Sequence, residues 1–265
     1  MRLLAAHDLR PDTDLGQHFL LDENLVEVAV REGRVGLKDV VLEVGAGLGV
    51  LTVALARAAA WVHAVEIDRR LAPALEEVVG GVGNVSLRYE DALRLPLEDL
   101  RPPPTRLVAN LPYSIATPLV LDSLWRLPAV TRWAVMVQRD VADRWLAAPG
   151  GRRYGAPSVL VQLATRPTFR RAVGREVFAP RPRVDSALVA LERTAPGASR
   201  AVRALVRAAF ATRRKTLANA LSAAGAEKDE VVRALVDLGQ PADARPERLP
   251  PAAFPALARA LAWPV

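Results

Sequence analysis

A glycine-rich loop between a short strand and a helix is the feature that most constrains how this chain can fold. An apolar run at residues 40–42 leads directly into the sequence EVGAGLG at residues 43–49. Glycine allows close approach of the backbone to a ligand, and a helix that starts behind such a loop points its N–H groups at that ligand. The pattern predicts one strand, loop and helix of an α/β sheet, with a ligand at the carboxyl end of the strand.

The rest of the chain continues this alternation. Apolar runs and amphipathic segments follow one another from about residue 15 to 193, which predicts βαβ units around a mostly parallel sheet. We expect strands at residues 40–44, 61–66, 85–89, 106–110, 132–138, 165–173 and 186–192. Helical patterns lie between them at residues 50–60, 69–79, 117–127 and 139–146. The prediction is an α/β domain with a mostly parallel sheet over residues 1–193 and a small, all-helical C-terminal domain over residues 194–265.

Composition limits the classes of protein that fit. The 265 residues carry a formal net charge of +7, nearly all of it from arginine, because Lys38, Lys215 and Lys228 are the only lysines. This surplus favours an anionic polymer as partner, although an arginine-rich proteome would produce the same bias. The chain has no cysteine and three histidines at unrelated spacings, so we expect no disulfide and no metal site. No segment fits a membrane span or a secretory signal, which predicts a cytoplasmic protein.

Two acidic residues follow the next two predicted strands. Glu66 ends the second strand, where an acid would meet the hydroxyls of a ribose, and Asp91 follows the third, where it could accept from an adenine amino group. Val50 stands where a dinucleotide fingerprint prefers glycine or alanine. An acid alone does not separate NAD from S-adenosylmethionine, and each acid could instead be a helix cap, as is more typical of Asp68.

The segment NLPYSIATP at residues 110–118 follows the fourth predicted strand. Pro112 removes a backbone donor, so the strand must end there. An exocyclic amine of a base offers two N–H groups, which the Asn110 side-chain carbonyl and a main-chain carbonyl, with Leu111 as the candidate, could accept. Tyr113 offers a flat face for stacking, worth roughly 1–3 kcal/mol per base. A strand-ending turn with a buried tyrosine is the alternative, and the position after the glycine loop favours a functional role.

With these motifs the chain resembles the RNA adenine N6-dimethyltransferases, and within them the bacterial 16S ribosomal RNA branch. The resemblance covers residues 16–221 and rests on the glycine loop, Glu66, Asp91, NLPYSIATP and four further segments. These segments are GQHFL at residues 16–20, YGAPSV at 154–159, FAPRPRVDS at 178–186 and RRKTLAN at 213–219. The last one favours the 16S branch over the 23S resistance methylases.

The resemblance implies a Rossmann-like, S-adenosylmethionine-dependent methyltransferase that dimethylates two adjacent adenosines near the 3′ end of 16S RNA. The residues implied for the cofactor are His18, Leu20, Gly45, Ala46, Gly47, Glu66, Asp91 and Asn110. Those implied for the reaction are Asn110, Leu111, Pro112, Tyr113 and Phe178. His18 replaces the asparagine that is commoner in the family. Asp12 and Asp14 stand where relatives are often basic, so an RNA-binding amino-terminal arm is not expected.

The arginines and two aromatic residues complete the expected RNA site. Tyr113 and Phe178 could sandwich a flipped base, although Phe178 would also suit an apolar core. Residues expected to contact phosphates are Arg181, Arg183, Arg207, Arg213, Arg214 and Lys215. We expect a monomer that acts on 16S RNA or on the immature 30S subunit. The alternatives are a 23S RNA methylase, a ribosome-assembly factor that binds RNA without catalysis and, more distantly, a dinucleotide oxidoreductase.

Overall fold

The computed structural model describes residues 2–13, 15–212 and 215–264. Its strands are β1 Phe19–Leu20, β2 Val40–Val44, β3 Trp61–Glu66, β4 Val85–Tyr89, β5 Arg106–Asn110, β6 Arg132–Gln138, β7 Thr165–Val173, β8 Phe178–Ala179 and β9 Ser186–Arg193. Its α-helices are α1 Arg2–Ala6, α2 Glu23–Glu32, α3 Val50–Ala58, α4 Ala72–Val79, α5 Ala116–Arg126, α6 Arg139–Trp145, α7 Ala156–Ala164, α8 Arg200–Phe210, α9 Leu217–Ser222, α10 Lys228–Asp237 and α11 Ala253–Ala260.

Contacts within the chain group it into two compact units. The first consists of Met1–Ala142 and Pro167–Arg193, and the second of Asp143–Arg166 and Thr194–Val265. The sequence-based boundary after residue 193 coincides with one of these division points. Residues 143–166, which that prediction placed with the sheet, group with the C-terminal helices because α7 packs against α8.

A seven-stranded sheet in the order β4-β3-β2-β5-β6-β9-β7 forms the centre of the first unit. The pairs β2–β3, β3–β4, β2–β5 and β5–β6 are parallel, and β6–β9 is antiparallel. Every residue of β2 is buried, as expected for a strand covered on both faces. The α/β prediction is therefore confirmed, and all seven predicted strands are present, the last one extending to Arg193.

The helices begin and end where proline and the following strands require, which shifts several predicted limits. Pro73 occupies the start of α4, so residues 69–71 form a separate 3-10 turn before it. Pro128 follows Leu127, which leaves the helical region, so α5 ends at Arg126. Ala59 is extended and leads into β3, which ends α3 at Ala58.

A second, two-stranded sheet was not predicted from the sequence. Strands β1 and β8 are antiparallel, with Phe19 opposite Ala179 and Leu20 opposite Phe178. Both strands have only two residues, so neither carries a recognisable alternation of polar and apolar side chains. Their pairing joins segments about 160 residues apart and brings the beginning of the FAPRPRVDS segment next to His18.

The second unit is helical apart from the first residues of β7. Helix α8 buries Val202, Leu205, Val206 and Ala209 on one face, and Ser199 caps its start by accepting from the Val202 N–H. The Phe210 ring stacks on Phe254 at 5.9 Å between centroids. The Tyr154 hydroxyl donates to the main-chain oxygen of Leu249 at 2.9 Å, which satisfies its polar atom inside the core.

Candidate functional site

The carboxyl ends of β2, β3 and β5 meet at one edge of the large sheet and border a cavity of about 250 Å³. A smaller cavity of about 110 Å³ adjoins it and reaches the segment after β4. The two share Leu15, Gly45, Glu66, Ile67 and Pro112 as lining residues. The predicted cofactor residues that line the larger cavity are His18, Leu20, Gly45, Ala46, Gly47, Glu66 and Asn110. Asp91 lines only the smaller one.

The glycine loop needs glycine both for its conformation and for close packing. Gly45 and Gly47 have φ angles of +83° and +57°, in the left-handed region. A Cβ atom on Gly45 would lie 3.1 Å from Pro112 Cδ and 3.3 Å from the Asn110 main-chain oxygen. A Cβ on Gly47 would lie 3.1 Å from the Phe19 ring. The loop therefore packs directly against residues 110–112 and β1.

Glu66 is held at the junction of the two cavities by main-chain donors. Its carboxylate accepts from the Gly47 N–H and the Asp68 N–H, both at 2.9 Å, and the residue is only 6% exposed. Burial raises the pKa of Glu66, and the backbone donors offset part of that rise. The capping role falls to Asp68, whose side chain accepts from the Arg70 N–H at 3.0 Å.

Asp91 has a local partner as well as a place in the smaller cavity. Its carboxylate accepts from the Leu93 N–H at 2.9 Å and lies 3.5 Å from the Arg94 guanidinium. It thus organises the turn after β4 while still lining the cavity. A carboxylate has about four acceptor positions, so these contacts leave acceptor capacity for a ligand.

The orientation of the Asn110 amide is fixed by its neighbour. Its Nδ2 donates to the main-chain oxygen of His18 at 3.0 Å, and this hydrogen bond distinguishes the amide nitrogen from the side-chain oxygen Oδ1. The Leu111 N–H donates to the Met136 oxygen at 3.1 Å. Within the residues that the structure describes, no hydrogen bond reaches the Asn110 Oδ1 or the Leu111 carbonyl oxygen. Two acceptors at the cavity therefore remain for a ligand.

Tyr113 has an anchored hydroxyl and an aromatic neighbour. The hydroxyl forms a 2.7 Å hydrogen bond with the Ser186 hydroxyl. Burial raises the pKa of Tyr113, and the Ser186 contact lowers it in part. The His18 ring lies 5.5 Å from the Tyr113 ring at a tilt of 34°. His18 Nδ1 donates to the Pro180 carbonyl at 2.8 Å, which places His18 between Tyr113 and the segment after β8.

Phe178 does not lie where a stacking partner for Tyr113 would be needed. It is 2% exposed, belongs to the apolar core of the first unit and lines neither cavity described above. Its pairing with Leu20 in the β1–β8 sheet explains this position. Among the described residues, the ring that faces Tyr113 is that of His18, for which the family resemblance implies only a cofactor contact.

Two features of the site were missed by sequence reasoning. Glu43 lines the larger cavity, is 1% exposed and has a pKa raised by burial to about 8. Its position as the first residue of the glycine loop was the only available signal. The second feature is an ionic network in which the Arg70 guanidinium contacts Asp68 and Asp12, each at 2.8 Å. The Gln17 side-chain amide joins it, because its Nε2 donates to the Asp68 carboxylate at 2.7 Å. This gives Asp12 a structural partner, while Asp14 lies outside the described residues.

The expected RNA-contacting residues occur in both units. Arg181 and Arg183 are exposed in the first unit, on the segment between β8 and β9. Asp185 of this segment lies 3.3 Å from Arg175 and 3.6 Å from Arg139. In the second unit, Arg207 and Lys215 are exposed. Arg213 and Arg214 lie outside the described residues, and their expected RNA contacts stay a prediction.

The two cavities suit a nucleoside. Glu66 stands at their junction, where it can accept from ribose hydroxyls, and the glycine loop leaves space that a Cβ would fill. Asp91 and the half-exposed Ile67 border the smaller cavity, as a purine with an amino group requires. These carboxylate acceptors and the space beside the glycine loop fit the ribose and the adenine of S-adenosylmethionine. The described residues contain no group of three or more potential metal ligands and no helix long and apolar enough to cross a bilayer.

Comparisons with known proteins agree on one family. A sequence model described as "Ribosomal RNA adenine dimethylase" matches residues 9–243. A protein of Rubrobacter xylanophilus is 48% identical over 260 residues, which cover 97% of each chain. A protein of Moorella thermoacetica is 41% identical over 276 residues, covering 98% of this chain and 96% of its own. Both are named ribosomal RNA small subunit methyltransferase A.

Solved structures show the same fold. A dimethyladenosine transferase from Plasmodium falciparum has a TM-score of 0.76 at 24% identity, over 91% of this chain and 96% of its own. The 23S rRNA methyltransferase ErmE has a TM-score of 0.69 at 26% identity, over 92% of this chain and 99% of its own.

Proposed function

The chain belongs to the ribosomal RNA adenine dimethylase family, and from that membership we propose that it transfers methyl groups from S-adenosylmethionine to adenine N6 of 16S ribosomal RNA. Two adjacent adenosines near the 3′ end would each receive two methyl groups during assembly of the small subunit. We place this activity in the cytoplasm and assign it to the monomer. The choice of 16S over 23S RNA is supported by relatives 41–48% identical that are named for the small subunit, against 26% for the 23S enzyme.

The observation that carries the proposal is the pair of acceptors at the NLPY loop. The Asn110 amide is turned so that Nδ2 is bound to His18 and Oδ1 faces no donor among the described residues. Together with the Leu111 carbonyl, it can accept both N–H groups of an adenine amine. Hydrogen bonds of this kind favour a pyramidal nitrogen over the planar, conjugated one, so they bind the transition state better than the ground state.

The remaining residues bind and orient. Glu66 and Asp91 would hold the ribose and adenine of the cofactor, and Tyr113 would stack on the target base after it leaves the RNA stack. The bound sulfonium supplies an activated methyl group with a good leaving group, so positioning is the protein's main contribution. The methylated ammonium is acidic and can lose its proton to water. We therefore assign no general base.

The exposed basic residues suit the phosphates of RNA. Arg181 and Arg183 lie on the segment that begins at the His18–Pro180 hydrogen bond, and Arg207 and Lys215 belong to the helical unit. Neutralisation of phosphates by such residues makes binding strongly salt-dependent. We propose that the C-terminal helices are an RNA-binding domain and that Arg213 and Arg214 belong to it.

Methyl transfer by an Asn110→Ala variant tests the role of the NLPY acceptors. Labelled methyl transfer from S-adenosylmethionine to immature 30S particles should fall at least about a hundredfold, while RNA binding stays within about twofold, because the reacting amine is the only part of the RNA that the Asn110 side chain would contact. Asn24→Ala is the matched control, since Asn24 is exposed on α2.

Three outcomes would contradict the proposal. Equal loss of RNA binding and of methyl transfer would show that Asn110 does not act by accepting a hydrogen bond from the reacting amine. Methylation that mass mapping finds only in 23S RNA would favour the other branch of the family. Absence of any transfer by the wild-type protein, with intact binding of 30S particles, would favour an assembly factor that does not catalyse.

A further inference from the structure

Glu43 is a buried acid with no role in the scheme above. It is the penultimate residue of the fully buried strand β2, lies opposite Ala64 of β3, and lines the larger cavity. Its Oε2 atom has no hydrogen-bond partner among the described residues. The Thr52 hydroxyl of α3 lies close to Glu43 and lowers the Glu43 pKa in part. The Thr52 Oγ1 atom is itself buried and has no hydrogen bond of normal geometry among the described residues. Glu43 is thus a largely desolvated carboxyl group.

No permanent positive charge balances this carboxyl group. Among the described residues that line the cavity, none is lysine or arginine. The other titratable side chains that line it are Glu66 from β3, His18 before β1 and Tyr113 after β5. Glu66 opposes ionisation of Glu43 through like charge, and burial opposes it more strongly, so the Glu43 pKa rises to about 8. At neutral pH the ligand-free cavity therefore holds Glu43 mainly as the neutral acid.

We propose that Glu43 exchanges a proton with solvent according to the net charge of the cofactor: it releases the proton when the positively charged methyl donor binds and regains it when the neutral thioether product is left. This inference rests on the proposed function. The ammonium and the carboxylate of the methionine part carry no net charge together and are common to donor and product, so they do not distinguish the two ligands. The sulfonium has no counter-charge within the ligand, and it has no N–H or O–H to donate, so an ionised carboxylate can stabilise it only through its field.

The exchange would make the site selective between donor and product. With the donor bound, the Glu43 carboxylate and the sulfonium compensate each other in a cavity of low polarity. After transfer the sulfur is neutral, and an ionised Glu43 would again be a buried charge without compensation. Protonation of Glu43 from solvent removes that charge. The ligand-free and product-bound states then share the same protonation, which favours release of the product.

Calorimetric titration in two buffers with different ionisation enthalpies measures the exchange directly. At pH 7, S-adenosylmethionine should release about 0.9 proton per site, because an acid with a pKa of about 8 is about nine-tenths protonated there. S-adenosylhomocysteine should release close to none. In Glu43→Gln, which copies the neutral acid, release with the donor should vanish and the preference for donor over product should fall at least about tenfold.

Glu66 could also release a proton when a ligand binds. Comparing the two ligands distinguishes release by Glu66 from release by Glu43. Both ligands carry the ribose that Glu66 would bind, so a proton from Glu66 would appear with donor and product alike. Equal release with the two ligands, or donor-specific release that persists in Glu43→Gln, would overturn the inference. If Glu43→Gln does not fold, the pH dependence of ligand binding to the wild-type protein still tests the proposal. Its donor-to-product affinity ratio should rise about tenfold or more between pH 6 and 7.5, and a flat ratio would overturn the proposal.

Failure of this inference can be distinguished from failure of the proposed function. A protein that binds neither ligand would contradict the proposed methyl transfer itself. A protein that binds both ligands without exchanging a proton would contradict only the role assigned to Glu43.

Discussion

Replacing Glu43 with glutamine should stabilise the ligand-free protein relative to the wild type, and this difference in stability should increase as pH rises. The Glu43 pKa lies near 8 in the folded state, against 4.5 for the unconstrained group. The folded state therefore binds more protons than the unfolded state between these values, and the free energy of unfolding of the wild type falls as pH increases through that window. The rise in pKa corresponds to roughly 5 kcal/mol when the window has been crossed completely. Glutamine has no charge to lose, so the variant avoids this penalty.

Urea unfolding followed by circular dichroism at pH 5, 6.5 and 8 would measure the effect. We expect the variant to gain stability relative to the wild type by several kcal/mol from pH 5 to pH 8. Glu66, whose pKa is also raised, is present in both proteins, so the difference between them retains only its electrostatic coupling to Glu43. Glu27→Gln, at an exposed position of α2, is the matched control and should show no such trend. A difference between wild type and Glu43→Gln that stays constant over this range would refute the reasoning.

Three further predictions concern the loop, the sheet and the RNA surface. Gly45→Ala should weaken S-adenosylmethionine binding by calorimetry at least about tenfold, because its Cβ would meet Pro112 and the Asn110 oxygen. Gly225→Ala, with φ +102° and open space, should cost only about 1–2 kcal/mol of stability and leave binding unchanged. Arg193→Ala should lower the free energy of urea unfolding by about 2–4 kcal/mol, since its guanidinium donates to three carbonyls and lies 4.9 Å above the Trp133 ring; a loss under 1 kcal/mol would contradict this. Arg207→Ala or Lys215→Ala should each reduce the slope of log affinity for RNA against log salt by about one, and Lys228→Ala, in an acidic stretch of α10, should leave it unchanged.

The large sheet could be predicted because most of its strands are short, apolar and separated by clear breaks, although β7 is longer and largely exposed. Helix limits were less predictable, since one residue such as Pro73 or Pro128 decides them. The assignment of residues 143–166 to the helical unit depends on packing of α7 against α8, which no local pattern records.

The site was predictable where a residue follows directly from its strand. Glu66 and Asn110 stand at strand ends, so the parallel sheet brings them to one edge. Phe178 was misplaced because an aromatic residue in a polar segment looks the same whether it faces a ligand or a core. Only the pairing of β1 with β8 decides between these positions. The raised pKa of Glu43 likewise depends on burial by residues distant in sequence.

The fixed orientation of the Asn110 amide has a consequence for how many times the enzyme can act on one base. On the proposed function, Asn110 Oδ1 and the Leu111 carbonyl accept hydrogen bonds but cannot donate them. An unmodified adenine amine fills both acceptors, a monomethylated amine fills one, and a dimethylated amine has no hydrogen left to offer. Hydrogen bonding to the base thus weakens with each transfer and is lost after the second. The loop therefore favours release of the dimethylated base without any further recognition element.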